Sequence, residues 1–428
     1  MSKIPSVYVG FISFFLFICT LPLSAQTDSS WTDIYDGPAH GEDVASSIAL
    51  LDFYLFGYYI FTDACVTGWS AGIATGLDYA TINYDPETGS PIWIRRYNGP
   101  GNGDDRAHAV VIDSLSDISV TGESWGDGTG FDYATIKYYG WGDTIWIRRY
   151  NGPGNGDDKA YAIAADTGGN VYVTGGSYGT SSYFDYATIK YKSDGDTAWV
   201  RRYSGLDQGN AAHAIAVDDS GNVYVTGQSR NGQISSSYAT IKYKPDGEVA
   251  WTSRYRGWFF SSVGSDLALD NAGNLYVTGW SDGPSGVYDY VTLKYNVSDS
   301  NPFWGASFNS PYNMVDFAYG IAVDPPGNIY VTGESYKYEQ IGSGYKYSSD
   351  CVTIKYTPGG DTLWLRRFNG WADSNDAGLD IAADTRGNVY VTGKSFGSNF
   401  DYATIKYSTS TGIKDEAELG NKPSRFML

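Results

Sequence analysis

The tripeptide Val-Thr-Gly occurs seven times, ending at Gly68, Gly122, Gly175, Gly227, Gly279, Gly333 and Gly393. Successive spacings are 54, 53, 52, 52, 54 and 60 residues, and the second residue after each copy is a serine, from Ser70 to Ser395. A period of this size makes the chain an array of one supersecondary unit that buries its apolar faces by stacking on its neighbours.

Three further phrases keep the count. "DYATIKY" at 132–138 has relatives beginning at Asp78, Asp185, Ser237, Asp289, Asp350 and Asp401. "AYAIAAD" has relatives such as "AHAVVID", "AHAIAVD" and "AYGIAVD", and "WIRRY" is anchored by Trp93, Trp146, Trp199, Trp251, Trp304 and Trp364. Each phrase is rich in Val, Ile, Tyr and Thr and bounded by Gly, Asp, Asn or Pro, which predicts a strand. Linkers such as "DTGGN" read as tight turns, where Gly and Asn accept positive φ.

Four strands per unit at this period predict an all-β, seven-bladed β-propeller with four antiparallel strands per blade. Strand A is the "AIAVD" phrase nearest the axis, B is "VYVTG", C is "DYATIKY" and D is the outer tryptophan strand. The chain opens with a seventh tryptophan phrase at Trp31, and its last unit stops after strand C. The N-terminal strand around Trp31 is therefore expected to join the last blade and close the ring, removing an open sheet edge. Arginine pairs such as Arg148 and Arg149 read as guards of the outer edges.

The first 25 residues place Lys3 before an apolar run that ends in Leu23-Ser24-Ala25, the pattern of a cleaved signal peptide. The expected organisation is signal peptide 1–25, propeller 26–407 and a C-terminal tail 408–428. No membrane insertion is expected after cleavage, since no other stretch is long and apolar enough to span a bilayer. Cys65 and Cys351 stand where other copies carry Tyr, so they read as packed strand residues and not a disulfide framework. A net charge of −19 argues against a nucleic-acid partner.

The "GNVYVTGxS" phrase, repeated through the chain, resembles the seven-bladed propeller repeat called SBBP, found in secreted and surface proteins of bacteria. The resemblance covers 31–407 and implies an extracellular β-propeller, secreted or held at the cell surface; it brings no reaction and no catalytic residues. The ending from Pro423 to Leu428 is similar to the opening of the sorting domains used by type IX secretion, whose continuing Asn-Tyr-Pro-Asn-Pro-Phe phrase is absent.

Residues shared by all units serve geometry shared by all blades, so function is sought where blades differ. The A–B and C–D turns stay short; the B–C loops and D–A crossings, which emerge on one face, are longer, as in the loop "ESYKYEQIGSGYKYSSD" at 334–350. Variable loops on a rigid scaffold carry binding residues. Beyond the strand D residues, Trp69, Trp125, Trp258, Trp280 and Trp371 fall on this side, with Tyr336 and Tyr338 in the longest loop; Trp141 does not. Exposed indoles there would form a platform for sugar rings or a protein; in the alternative reading they cap the grooves between blades.

"GPGNGDD" occurs at 99–105 and 152–158, so Asp104, Asp105, Asp157 and Asp158 are candidate oxygen ligands for Ca²⁺, an optional support for the loops; no cofactor is required. His108 and His213 share one strand A position with Tyr161 and Tyr319, a ring expected at the channel mouth. The function expected is an extracellular binding or adhesion module for a polysaccharide or surface protein, acting as a monomer. The alternatives are a propeller glycoside hydrolase or polysaccharide lyase, which needs two carboxylates or an Arg and Tyr pair converging at one channel end, and a structural envelope component. No nucleophile, base and orienting group stand at a recognisable spacing.

Overall fold

The computed structural model describes residues 33–408, apart from 56–57, 86–87, 182, 206–208, 231–234, 260, 297, 371–372, 385–386 and 397–399, together with 424–426. Seven antiparallel sheets follow one another along the chain. Blade 2 shows the plan: strands Asp105–Ile112, Ile118–Trp125, Phe131–Tyr138 and Thr144–Tyr150 are hydrogen-bonded in the order A-B-C-D. The same meander fills 43–97, 158–203, 211–255, 262–308 and 316–368, and blade 7 contributes Asp376–Ala383, Val389–Phe396 and Phe400–Tyr407. From blade 2 to blade 7, each strand A packs on strands A and B of the blade before it.

The repeated residues are ties between blades. In blades 1 to 5 the first tyrosine of the "DYATIKY" phrase is fully buried and donates its hydroxyl to a strand C carbonyl one blade on: Tyr79 to Ala134 at 3.1 Å, Tyr133 to Ala187 at 3.2 Å, Tyr186 to Ala239 at 3.2 Å, Tyr238 to Val291 at 3.1 Å and Tyr290 to Val352 at 3.3 Å. The strand D indole donates into the next blade's C–D turn, Trp93 to the Gly140 carbonyl at 2.8 Å and Trp146 to that of Ser193 at 3.1 Å. Apolar side chains fill the space between: Cys65, Tyr79 and Trp93 of blade 1 lie against Ala107, Val120, Ala134 and Ile136 of blade 2. Cys65 and Cys351 are both buried and neither forms a disulfide.

The arginine pairs do more than guard edges. Arg148 lies over the Trp146 ring and donates Nε to Gly195 of the next blade at 2.7 Å, while Arg149 turns inward to Asp132 at 2.8 Å and to the Tyr97 hydroxyl of the preceding blade at 3.0 Å. Arg96 makes the same inward contacts with Asp78 and, at 3.1 Å, with the Tyr35 hydroxyl. Tyr35, four residues after Trp31, thus stands against blade 1 as Tyr97 stands against blade 2. Trp31 itself and the proposed signal segment lie outside the described residues, and the described part of blade 7 is three-stranded.

Three features depart from the sequence expectations. Residues 334–350 are not a loop but a continuation of the sheet: strands Ile329–Ile341 and Gly344–Tyr356 pair from Ile329↔Tyr356 to Ile341↔Gly344. The Tyr-Lys-Tyr segments alternate and hold the strand period. One A–B hairpin is also long, with blade 1 strands reaching Leu55 and restarting at Tyr58. In the tail, Ser424–Phe426 adds a fifth strand to blade 5, with Ala306 opposite Arg425 and Ser307 opposite Ser424. Among the described residues no helix is long and apolar enough to cross a membrane.

Candidate functional site

Strand A carries a register shift in every blade, and the residue it leaves unpaired is Ser46, His108, Tyr161, His213, Ser265, Tyr319 or Leu379. A bulge twists the strand and re-aims one side chain. The four channel-mouth residues expected from sequence, His108, Tyr161, His213 and Tyr319, are all bulge residues. Three stand in a row: ring centres are 5.8 Å apart from His108 to Tyr161 and 6.3 Å from Tyr161 to His213. Tyr161, in the blade between, therefore links two histidines that the repeat count keeps apart. Trp69 extends the row with its edge 6.2 Å from His108.

Beside this row stands Glu123, between the Gly and Ser of its "VTGxS" phrase. It accepts from Lys159 Nζ at 2.9 Å and Arg106 Nη1 at 3.2 Å, with His108 Nε2 at 3.9 Å. Burial alone would raise its pKa; the His108 imidazole beside it and the hydrogen-bonded Lys159 ammonium outweigh burial and hold the carboxyl at about 2. Glu123 is thus a fixed anion. Burial pushes the His213 imidazole down, against its 3.1 Å bond to the Gly264 carbonyl, which favours the neutral ring. Tyr319 donates to Glu334 at 2.6 Å, and burial followed by that carboxylate pushes its phenol up.

The loop-face tryptophans divide. Trp280 is half-buried, with Tyr288 and Phe317 edge-on at 4.7 and 5.3 Å, and Trp69 is half-buried against His108 and Glu42. Both follow the Gly of "VTG" and sit between blades, so neither is part of an open platform. Trp125 is partly covered by the crossing before its blade: a Cβ on Gly103 would come within 2.6 Å of the indole. Trp258 is 68% exposed, and Trp371 lies outside the described residues. On the opposite face, Trp141 is exposed and stacks on Tyr139 at 4.4 Å.

The four aspartates of the "GPGNGDD" loops are engaged by the chain itself. Asp105 accepts from Gly99 N at 2.7 Å and Trp125 N at 3.0 Å, and Asp158 from Gly152 N at 2.6 Å and Tyr178 N at 3.0 Å. Asp104 accepts from Leu77 N and pairs with Arg106, and Asp157 accepts from Phe131 N. Among the described residues no group of three or more Asp, Glu, His or Cys is placed to hold a metal ion. The glycines of these loops have a reason of their own, since Gly101 and Gly103 press on Trp125, and Gly154 and Gly156 on Tyr178.

The extended hairpin of blade 6 builds a cleft. Tyr312, Lys337, Tyr338, Glu339, Lys346 and Asp373 line a volume of about 290 Å³. Tyr338 meets Tyr312 at 5.8 Å and Tyr345 at 5.5 Å, while Tyr336 turns back edge-on to Phe317. Lys337 and Lys346 both reach Asp373, at 3.0 and 3.2 Å. Hydrogen bonds from Asn369, Lys337 and Lys346 hold the Asp373 carboxyl well below the usual range. Asp373 has φ 44°, the left-handed turn position that Asn102 and Asn155 take in other crossings. Sequence reasoning found Tyr336 and Tyr338 but not Tyr312, Tyr345, Tyr347 or the lysines, whose signal was the strand alternation inside 334–350.

The Beta-propeller repeat family, SBBP, matches residues 199–232, 261–284, 313–337 and 364–401. Four stretches of the chain are thus similar to the SBBP repeat. The SBBP matches fall in blades 3 to 7, and each of the four includes the Val-Thr-Gly phrase or abuts the strands that flank it. No curated protein matches the chain. Among solved structures, a europium-containing methanol dehydrogenase is similar at 10% identity and a TM-score of 0.47, over 78% of this chain and 79% of that one. A glucose dehydrogenase is similar at 11% identity and a TM-score of 0.39, over 86% and 96%; a Xanthomonas campestris gluconolactonase at 13% and 0.29, over 50% and 65%. Likeness at this level does not extend to their reactions.

Proposed function

We propose that this SBBP-repeat chain is an extracellular binding propeller that recognises polysaccharide through its long-loop face, with the blade 6 hairpin as the contact surface. The observation that carries the reading is the set of tyrosines there: Tyr312 and Tyr338, which line one cleft, and Tyr345 and Tyr347, whose rings meet Tyr338, are each 40–62% exposed. Tyrosine joins a flat apolar face to a polar hydroxyl, the combination that sugar rings use, and two fixed lysines and a carboxylate supply directional partners. The signal-like first segment supports export.

One observation favours the hydrolase alternative. Asp266 and Asp380 occupy the same strand A position in blades 5 and 7, either side of Gly320. Burial, then the Asp380 charge, pushes Asp266 up to about 7, and burial raises Asp380 as well. A protonated carboxyl close to a second carboxyl group is part of what acid–base cleavage of a glycosidic bond requires.

The two readings separate in one experiment. The chain from residue 26 is incubated with a panel of bacterial and plant polysaccharides, and retained sugar and new reducing ends are read from the same samples. Retention without new ends, lost in a Tyr338→Ala/Tyr347→Ala double variant, is the expected result. New ends lost in Asp266→Asn would replace the binding reading with the catalytic one, and neither signal would turn the search to protein partners.

A further inference from the structure

Five outer strands carry an arginine three residues after the tryptophan: Arg96, Arg149, Arg202, Arg254 and Arg367. In blades 1, 2, 3 and 6 its guanidinium lies 2.9, 2.8, 2.9 and 3.0 Å from the carboxylate that opens strand C, namely Asp78, Asp132, Asp185 and Asp350. The same guanidinium also reaches the strand B serine, Ser70, Ser124, Ser177 or Ser335. A planar cation held between a carboxylate and a serine is therefore a repeated fixture of the fold.

Blade 5 keeps every part of this cradle except the cation. Asp289 opens strand C, Ser281 stands on strand B and Tyr255 ends the preceding outer strand, but the blade's own outer strand reads Trp304-Gly-Ala-Ser307, with serine in the arginine's place. Asp289 is only 5% exposed, yet its carboxylate makes no hydrogen bond or ion pair among the described residues: Oδ1 lacks a partner as it does in Asp78 and Asp132, and Oδ2, which takes the arginine in those blades, has none here either. Its Oδ2 faces Gly283 as those of Asp78 and Asp185 face Gly72 and Gly179. In those blades that oxygen takes the arginine, so Asp289 is aimed at the arginine's place. Asp282 and Asp316, 2% and 0% exposed, each bring another unpartnered oxygen nearby.

The segment beside this cradle carries two aromatic residues. Trp258 donates its backbone N–H to the Asp282 carbonyl at 3.3 Å and Phe259 donates to the Asp282 carboxylate, while both rings remain exposed on the long-loop face. An exposed indole beside buried carboxylates suits a guanidinium, which stacks on a ring through its face and hydrogen-bonds through its edge.

We propose that blade 5 is a guanidinium-binding site, which takes an arginine side chain of a peptide or protein partner between Asp289 and Ser281, beside Trp258. The site is separate from the blade 6 cleft and does not depend on the polysaccharide reading.

Ethylguanidinium is the probe, with ethylammonium as the control, and thermal unfolding of the full chain as the readout. At millimolar concentrations ethylguanidinium is expected to raise Tm in the wild-type chain and ethylammonium to do so at least several-fold less. Ser307→Arg, which supplies the missing side chain, should start at a higher Tm and no longer respond; Asp289→Asn should lose the response without needing a new side chain to fit. Absence of a wild-type response, or an equal response in Asp289→Asn, would overturn the proposal.

Discussion

Lys137 and Asp113 form a buried ion pair, Nζ to Oδ2 at 2.8 Å, with both side chains almost wholly out of water. The corresponding lysines lie over a tyrosine instead: Lys190 over Tyr172 at 5.0 Å, Lys242 over Tyr224 at 5.2 Å and Lys355 over Tyr330 at 4.8 Å. Blade 2 has Ser119 where those tyrosines stand, so Lys137 sinks into the vacated volume, donates to the Gly169 carbonyl and meets Asp113 and Asp117. Removing one partner of such a pair strands a charge. Lys137→Ala is expected to cost about 3–5 kcal/mol in urea unfolding, against about 0.5–1 kcal/mol for Lys190→Ala.

Stability should fall as pH rises through the acidic and neutral range. Burial pushes Asp266, Asp289 and Asp316 each up to about 7. An aspartate whose folded pKa exceeds its unfolded value binds more protons when folded, so its contribution is complete below about pH 4 and is lost as pH climbs to about 7. Denaturation midpoints taken at intervals from pH 5 to pH 8 should decline and then level. Asp289→Asn should flatten part of that slope.

The loop glycines answer to the ring beneath them. Gly103→Ala places a methyl group against the Trp125 indole and should cost about 1–3 kcal/mol, as overpacking does. Gly128, whose Cβ would meet nothing within 4 Å but whose φ is +82°, separates backbone strain from overpacking when changed to alanine. Only the Gly103 change should shift Trp125 fluorescence.

Calcium is expected to have little effect. The loop aspartates already accept backbone amides, and a site of tens of micromolar affinity would add roughly 2–3 kcal/mol at millimolar ion. Unfolding curves with millimolar Ca²⁺ and with chelator should therefore superimpose.

Tyr35→Phe tests closure. Loss of its bond to Arg96 should cost about 1 kcal/mol, the value expected for Tyr97→Phe at the next junction. Deleting residues 26–35 should cost more than either, and hydrogen exchange should then quicken in blades 1 and 7 before the others.

The repeat made the blades and their strand order legible, because seven copies of one phrase leave a single stacking solution. The site was less so. Trp69 and Trp280 read as loop-face residues because they follow a Gly at a strand's end, but strand alternation turns them between blades. Residues 334–350 read as a loop on composition, while their Tyr-Lys-Tyr alternation carried two strands onward. The bulge at His108 and its counterparts has no sequence signature, since any residue type from Ser46 to Leu379 fills it. Glu123 was hidden by its place in a phrase whose other members are structural; only variation at that position, Trp69, Gly176, Gln228 and Glu334 among the counterparts, marked it.

The buried tyrosines that reach across the first five junctions give the ring a direction. Tyr79 belongs to blade 1, but the carbonyl it satisfies is Ala134 of blade 2, and Tyr133 hands the same service on to blade 3. Blades 2 to 6 are thus each latched by the blade before, whereas the step from blade 6 to blade 7 has Cys351 in the tyrosine's place, and damage to one tyrosine loosens the neighbour downstream before it loosens its own sheet.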